Sequence, residues 1–198
     1  MIIFENICNE SPYKIFEQKY NEAIEANQKT VEAISISSFC KKTNETHSRF
    51  VNLKFIKEKE FIFFTNYNSP KAQQFNDHPQ ITALFYWNSI NTQIRMKARI
   101  KKTPTEFNND YFKNRSPHKN ALAISSKQSE KVDSYQEVIK NYEKSLKSDN
   151  LSKCPSYWGG FSFVPYYFEF WYGHKSRLNK RNVYEIIDNH WTSNYIQP

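Results

Sequence analysis

Strand-like segments follow one another along most of this chain with short turns between them, and this pattern restricts the fold more than any other feature. Their apolar residues alternate with polar ones, as in half-buried strands. The absence of strand–helix–strand alternation and of a G-x-G-x-x-G motif argues against a dinucleotide-binding parallel sheet. We therefore predict a mainly β protein, an antiparallel sheet or barrel with inserted helices. Roughly seven strands are expected, at residues 33–39, 49–56, 61–65, 81–87, 93–101, 161–172 and 182–187, with residues 191–196 closing the sheet.

Helices are expected in four places. Ser11 is the predicted cap of the first, with Pro12 at its first position. Two short helices are predicted over residues 69–79 and 105–114, and a longer one over residues 130–147. The longest has the clearest helical spacing of apolar residues, at Tyr135, Val138, Ile139, Tyr142 and Leu146.

Length and composition indicate one domain. A chain of 198 residues can bury a substantial core, and 17% aromatic residues compensate for a hydrophobic fraction of 38%. The only soft linker, residues 147–155, is too short to separate domains. We predict one domain over residues 1–198, with an N-terminal helical segment at residues 1–30.

The net charge of +8 is compatible with nucleic acid, an anionic membrane surface or small anionic ligands. The lysines are scattered and no nucleic-acid-binding signature occurs, so nucleic acid is disfavoured. No bilayer-spanning apolar stretch and no signal peptide are visible, and we expect a soluble cytoplasmic protein that does not bind membranes. Cys8, Cys40 and Cys154 form no C-x-x-C pair, and the histidines lack metal-ligand spacing, so reduced thiols and no metal site are expected.

Three places are candidates for binding an anion. Residues 69–71 combine a helix start with a lysine. Arg49 and Lys54 are five residues apart on one strand, which places them on opposite faces. Arg177 and Arg181 follow the short stretch that holds all three glycines of the chain. A plain helix cap, solvated strand charges and an exposed turn are the respective alternatives. Because no nucleophile motif is present, a bound cofactor would supply the chemistry.

A series of short motifs runs in order from residue 49 to the C-terminus. The motifs are R-F-V-N-L-K (49–54), F-F-T-N-Y-N-S-P-K-A-Q-Q (63–74), Q-I (93–94), Y-F-K-N-R (111–115), K-Q-S (127–129), W-G-G-F (158–161) and E-F-W-Y-G-H-K-S-R-L-N-K-R (169–181). Each motif alone is weak, but the ordered set is specific. The chain in this region resembles the pyridoxamine/pyridoxine 5′-phosphate oxidase family. Residues 1–48 add little to the resemblance.

The resemblance implies an FMN-binding split barrel, which is a Greek-key antiparallel barrel with peripheral helices. It also implies a homodimer with FMN at the subunit interface. The implied FMN contacts are Arg49, Phe50, Val51, Asn52, Leu53, Lys54, Phe64, Thr65, Lys71, Gln93, Gln128, Ser129, Trp171 and Arg181. Among these, Arg49, Lys71 and Ser129 would face the FMN phosphate.

The resemblance further implies oxidation of pyridoxamine or pyridoxine 5′-phosphate to pyridoxal 5′-phosphate. A hydride equivalent would pass from C4′ of the substrate to FMN, and O2 would reoxidise the flavin and yield H2O2. The implied substrate-binding residues are Lys54, Tyr111, Arg115, Lys119, Arg177, Leu178 and Asn179. Arg177, over the substrate ring, and Asn179 are the implied catalytic residues.

Four positions depart from the family pattern. Pro70 and Lys119 stand where the family usually has an arginine for the FMN phosphate and a serine for the substrate phosphate. Asn179 replaces the histidine of R-L-H, and residues 195–198 replace the usual R-L-x-P. Alternatives are therefore a related flavin oxidase with another substrate, as in phenazine biosynthesis, and an FMN- or pyridoxal-phosphate-binding protein with little catalysis. Residues 158–161 are expected to be architectural.

Overall fold

The computed structural model describes all 198 residues, which form nine strands and five α-helices. The strands are β1 (Ile3–Glu5), β2 (Ala33–Cys40), β3 (Glu45–Lys57), β4 (Glu60–Asn66), β5 (Gln80–Trp87), β6 (Thr92–Lys102), β7 (Trp158–Tyr172), β8 (Lys180–Ile187) and β9 (His190–Ile196). The helices are α1 (Ser11–Glu25), α2 (Pro70–Asp77), α3 (Thr105–Lys113), α4 (Pro117–Ser125) and α5 (Tyr135–Ser148).

Six antiparallel strands close into a ring in the order β3, β2, β5, β6, β7 and β4, and β4 returns to β3. The connection from β4 through α2 places β5 beside β2, which is a Greek-key crossover. β1 pairs in parallel with the end of β3, and β8 and β9 extend the sheet beyond β7. The predicted mainly β, Greek-key barrel is therefore confirmed.

The barrel is split between β3 and β4. The β3–β4 ladder pairs Leu53 with Phe63 and, after a register shift, Phe55 with Ile62. Residues 45–52 of β3 pair with β2 and have no partner on β4. The last residues of β4 pair only with the start of β7. The irregularity in β3 therefore opens a gap in the wall of the barrel.

Aromatic side chains fill the barrel. Phe61 stacks on Phe163 with ring centroids 5.2 Å apart, and Phe63 stacks on Phe161 at 6.2 Å. In each of the two stacks, the phenylalanines are directly paired across β4 and β7. Helix α1 packs against this interior, where buried Phe16 makes an edge contact with Phe61 at 5.1 Å. Stacked and edge-on aromatic pairs contribute about 0.5–1.5 kcal/mol each beyond their buried area.

Helix α5 begins at Tyr135, so the prediction of a helix from residue 130 was wrong at its start. The Ser134 side chain accepts a hydrogen bond from the Glu137 N–H at 3.2 Å and fixes the N-terminus there. Ser129, just before this segment, has a φ of 71°, which no helix accommodates. The apolar face of α5 is also less buried than its spacing suggests, because Tyr135 and Ile139 are exposed.

Other differences from the prediction are small. The sheet has nine strands instead of about seven, and three-residue β1 is too short to give a periodic signal. Helix α4 was not predicted, because its buried residues are Asn120 and Ala121 instead of large apolar side chains. Helix α1 starts at Ser11, and Glu10 takes the cap position without a side-chain bond. None of the helices has both the length and the hydrophobicity that a bilayer crossing requires.

Candidate functional site

A cavity of about 300 Å³ lies at the split in the barrel. Strands β3 and β4 form two of its walls, and α2, α3, α4, the segment before α5 and the start of β7 complete it. The lining residues are Phe50, Val51, Asn52, Lys54, Phe64, Thr65, Lys71, Tyr111, Arg115, Lys119, Gln128 and Trp158. Every one except Trp158 belongs to the predicted FMN or substrate sets, and none is acidic. The structure thus brings together residues from five separate motifs.

Lys71 is a nearly buried cation without a counter-ion. Its side chain is held on α2, 9% exposed, and its Nζ donates to Thr65 Oγ1 at 3.2 Å and Ser69 Oγ at 3.4 Å. Burial, reinforced by the neighbouring Arg49, lowers the pKa of Lys71 from 10.5 to about 8. Since no carboxylate lies close to it, the arrangement favours binding of an anion.

Arg49 lies behind Lys71 and does not line the cavity. Its Nη1 donates to Ser38 Oγ at 2.7 Å and to the Ile36 carbonyl at 3.2 Å, and its Nη2 donates to Gln74 Oε1 at 3.1 Å. Burial lowers the pKa of Arg49. These neutral partners fix the guanidinium and leave its charge uncompensated beside Lys71.

A second group of cations comprises Lys54, Arg115 and Lys119. Burial lowers the pKa of Lys54; the Glu32 carboxylate opposes this shift, and the charges of Lys119 and Arg115 add to it. Burial also lowers the pKa of Arg115. None of the three forms an ion pair. The cavity therefore has two separate positions at which an anion would relieve charge repulsion.

Stacked aromatic rings form one side of the cavity. Phe64 lies against Tyr111 at a centroid distance of 3.9 Å and against Trp158 at 5.1 Å, with interplanar angles of 20° and 9°. Burial raises the pKa of Tyr111, so its hydroxyl remains a hydrogen-bond donor. Trp158, which was expected to be architectural, is thus part of the cavity wall. Its place beside the end of β4 depends on the β4–β7 pairing, which local sequence does not show.

Three other predicted FMN residues, Gln128, Ser129 and Leu53, lie in three different environments. Gln128 Oε1 accepts from Thr65 Oγ1 at 3.0 Å and from the Asn66 N–H at 3.4 Å, which leaves the Gln128 Nε2 donors available. Ser129 lines an adjacent groove outside the cavity. The Leu53 side chain is fully buried in the barrel core, so only its backbone is available to a ligand.

The remaining predicted FMN residues, Gln93, Trp171 and Arg181, form one row across β6, β7 and β8. Gln93 pairs with Trp171, and Trp171 pairs with Arg181. The cavity lies at the opposite end of β7, beside Trp158. At roughly 3.3 Å per residue, the 13 residues of strand between them correspond to about 40 Å. None of the three lines the cavity, so one chain holds the predicted FMN residues in two separate places.

Buried Glu169 fixes Arg181 within this row. Its Oε1 accepts from Arg181 Nε at 2.8 Å, and its Oε2 accepts from the Tyr167 hydroxyl at 2.9 Å and pairs with Arg95. Burial alone would raise the pKa of Glu169, but the Arg181 and Tyr167 hydrogen bonds and the two arginine charges outweigh it and lower the pKa. Glu169 is in a recognised motif, yet its role was not predicted.

The turn between β7 and β8 carries the predicted catalytic residues. Asn179 Oδ1 accepts from the His174 N–H at 3.0 Å, and the Arg177 N–H donates to the His174 carbonyl at 3.0 Å. Arg177 has a φ of 60°, a left-handed conformation that is uncommon for arginine. Leu178 is exposed. Asn179 thus stabilises the turn that presents Arg177.

The three glycines allow close approach of neighbours, and none has a positive φ. A Cβ on Gly159 would lie 2.2 Å from the Tyr67 hydroxyl, and one on Gly173 would lie 2.1 Å from the Asn91 side chain. The glycines therefore serve packing at both ends of β7. No group of three or more His, Cys, Asp or Glu side chains is placed to hold a metal ion.

Comparison with solved structures places this architecture among the FMN-binding split barrels. PhzG from Burkholderia lata 383, solved in complex with tetrahydrophenazine-1-carboxylic acid, superposes with a TM-score of 0.90 at 21% identity, covering 96% of this chain and 93% of that one. A pyridoxamine 5′-phosphate oxidase-related, FMN-binding protein from Nostoc punctiforme superposes with a TM-score of 0.77 at 13% identity, covering 96% and 99%. At these identities the similarity shows the fold.

The amino-acid sequence identifies the family, whereas the similarity to solved structures shows only the fold. Residues 20–145 match the pyridoxamine 5′-phosphate oxidase family, and residues 158–198 match the pyridoxine 5′-phosphate oxidase C-terminal dimerisation region. The pyridoxine/pyridoxamine 5′-phosphate oxidase of Colwellia psychrerythraea is 32% identical over 193 residues, covering 96% of this chain and 88% of the relative. Pyridoxine/pyridoxamine 5′-phosphate oxidase 1 of Hydrogenovibrio crunogenus is 34% identical over 192 residues, covering 94% of this chain and 88% of the relative. The chain belongs to the pyridoxamine 5′-phosphate oxidase family of FMN-binding oxidoreductases.

Proposed function

We propose that this protein is an FMN-dependent oxidase that converts pyridoxamine 5′-phosphate and pyridoxine 5′-phosphate into pyridoxal 5′-phosphate, with O2 reduced to H2O2. The observation that carries the proposal is the single cavity with two groups of unpaired cations and an aromatic wall. Two anionic groups attached to planar rings satisfy this arrangement: the phosphates of a flavin and of a vitamin B6 substrate. Family membership supports the same conclusion.

The residues around Lys71 fit the FMN phosphate. Lys71 and Arg49 supply two positive charges, and both are held by neutral hydrogen-bond partners. Pro70 occupies the first turn of α2 without disturbing it. The Gln128 amide donors and the backbone of β3 remain free to contact the ring system. Bound FMN supplies the two-electron acceptor that O2 regenerates, a chemistry that no side chain here provides.

The second cation group fits the phosphate of the substrate. Lys54, Arg115 and Lys119 together carry three charges beside the Tyr111 hydroxyl. A dianionic phosphate monoester is matched better than a singly charged carboxylate, because more of the repulsion among the three cations is relieved. Fixing both phosphates aligns the substrate carbon with the electron acceptor, and such alignment contributes much of the rate enhancement.

We further propose that the active unit is a homodimer and that each site uses both chains. Within one chain, the row containing Trp171 and Arg181 does not line the cavity and lies toward the end of β7 that is opposite Trp158. A twofold dimer that places this row over the partner's cavity resolves the separation. The match of residues 158–198 to a dimerisation region supports this arrangement. In it, the β7–β8 turn positions Arg177 over the substrate ring.

The test is aerobic assay of the FMN-loaded protein with pyridoxamine 5′-phosphate, pyridoxine 5′-phosphate and their unphosphorylated forms. We expect equimolar pyridoxal 5′-phosphate and H2O2 from the phosphorylated substrates, with kcat/KM at least about 100-fold lower without the phosphate. A protein that takes up no FMN refutes the cofactor assignment. A flavin-loaded protein that is inert toward both phosphorylated substrates, or that oxidises a dihydrophenazine carboxylate faster, refutes the substrate assignment.

A further inference from the structure

We propose that Asn120 is a positioning residue that, together with Trp158, holds the Arg115 guanidinium at the second anion position of the cavity. The inference rests on the proposed function, since it assigns Arg115 to the phosphate of the substrate. Neither Asn120 nor Trp158 belongs to the residues predicted to contact FMN or substrate. Arg115 lies just beyond the C-terminal end of α3, and its side chain has no carboxylate partner.

A hydrogen bond and two aromatic rings hold the Arg115 side chain, and the centroid of the farther ring, Phe112, lies 5.6 Å from the guanidinium carbon. Arg115 Nη1 donates to Asn120 Oδ1 at 3.1 Å, and the guanidinium carbon lies 4.4 Å from the centroid of the Trp158 ring. The hydrogen bond to Asn120 restrains the guanidinium within its plane, and the Trp158 ring restrains it from one face. The other N–H donors of the side chain have no protein acceptor and remain available to a ligand.

Asn120 is suited to this role because it is itself immobilised. It is 1% exposed, and its Nδ2 donates to the Phe112 carbonyl at 2.8 Å and to the Leu151 carbonyl at 2.8 Å. These two bonds join the end of α3 to the segment before β7 and determine the orientation of the amide. The amide oxygen therefore points at Arg115, and an uncharged acceptor leaves the arginine charge available for phosphate.

Trp158 is immobilised in the same way. It stacks on Phe64 and makes an edge contact with Phe112 at 4.9 Å. Adjacent Gly159 cannot be replaced without a clash with the Tyr67 side chain, so the backbone that carries Trp158 is also closely packed. Arg115 is thereby ordered before a phosphate arrives, and the entropic cost of ordering a flexible side chain on binding is reduced.

A double-mutant cycle of Asn120→Ala and Arg115→Ala on the flavin-loaded enzyme tests this role. We expect Asn120→Ala alone to raise KM for pyridoxine 5′-phosphate, and Kd for pyridoxal 5′-phosphate, about tenfold. The kcat and the FMN affinity should change less than about twofold. In the Arg115→Ala background, Asn120→Ala should add less than about twofold to either constant. Asn114→Ala, an exposed asparagine that bonds only the Asp110 carbonyl, is the matched control.

Equal effects of Asn120→Ala in both backgrounds, or a parallel loss of FMN affinity, would overturn the inference, because a general structural role acts independently of Arg115. If Asn120→Ala does not fold, Trp158→Leu and Trp158→Phe replace it in the same cycle. When Arg115 is present, Trp158→Phe should retain most of the affinity for pyridoxal 5′-phosphate, and Trp158→Leu should not. In the Arg115→Ala background, this difference between the two variants should disappear. A wild-type protein that retains FMN but binds neither phosphorylated compound refutes the proposed function, and this inference fails with it. Wild-type binding with an additive cycle refutes the inference alone.

Discussion

Replacing Lys71 with methionine should stabilise the ligand-free protein and weaken FMN binding. Methionine retains most of the length and removes the charge. The pKa of about 8, against 10.5, means that the buried ammonium costs about 3 kcal/mol more in the fold than in the unfolded chain at neutral pH. The hydrogen bonds to Thr65 and Ser69, each worth about 0.5–1.5 kcal/mol, are lost. We expect a net gain of roughly 1–2 kcal/mol, or several degrees in Tm.

The effect on FMN should have the opposite sign. A charge-assisted hydrogen bond to a phosphate contributes about 1.5–3 kcal/mol, so Lys71→Met should raise the Kd for FMN by about 10- to 100-fold. The added FMN should consequently increase Tm less in the variant than in the wild type.

Thermal unfolding with and without FMN, together with titration of flavin fluorescence, measures both effects on the same samples. Lys140→Met, at an exposed position of α5, is the control and should change neither quantity. A Lys71→Met protein that is less stable without ligand refutes the interpretation of Lys71 as an unfavourably buried charge. Unchanged FMN affinity would remove Lys71 from the phosphate site.

Four further predictions concern pH, the division of the site and the sharing of sites between chains. Because the pKa of Lys71 is lowered in the fold, the unfolded chain binds more protons between about pH 8 and 10.5, so ligand-free stability should rise with pH across this window relative to Lys71→Met. Above pH 8 the Kd of wild-type FMN binding should rise up to about tenfold per unit, and a pH-independent Kd would contradict proton uptake at Lys71. Arg177→Ala should lower kcat/KM at least about tenfold and leave FMN affinity unchanged, whereas equal losses in both would show that the two phosphate sites are wrongly divided. Mixed dimers of Lys71→Met and Arg177→Ala chains should recover about a quarter of wild-type activity, measured after co-expression, because one of the two sites in each mixed dimer is intact; no recovery would contradict sites shared between chains.

Local sequence was sufficient for every strand except the three-residue β1, but not for every helix. The two-residue alternation along β2, β5 and β6 is strong because one face of each strand fills the barrel. Helix α4 lacks such a signal, since it buries Asn120 and Ala121. The start of α5 depends on a single hydrogen bond, which the Glu137 N–H donates to the Ser134 side chain. The polar residues before Ser134 fit a helix equally well by composition.

The candidate site was predictable as a set of residues, not as a geometry. The family resemblance implied eleven of the twelve residues that line the cavity. It could not show that Arg49 lies behind Lys71, that the Leu53 side chain points into the core, or that Trp158 forms a wall. These placements depend on the pairing of β3 with β2 and of β4 with β7, which involves residues distant in sequence.

In the proposed reaction, phosphate-bearing substrate and flavin occupy one site and exchange electrons. Anaerobic addition of pyridoxamine 5′-phosphate to the FMN-loaded protein, followed by flavin absorbance, tests it most directly. We predict loss of the oxidised-flavin absorbance with one equivalent of substrate per site, and its return with stoichiometric H2O2 when O2 is admitted. Persistence of the flavin colour while the phosphorylated substrate binds, or equally rapid bleaching by unphosphorylated pyridoxamine, would contradict it.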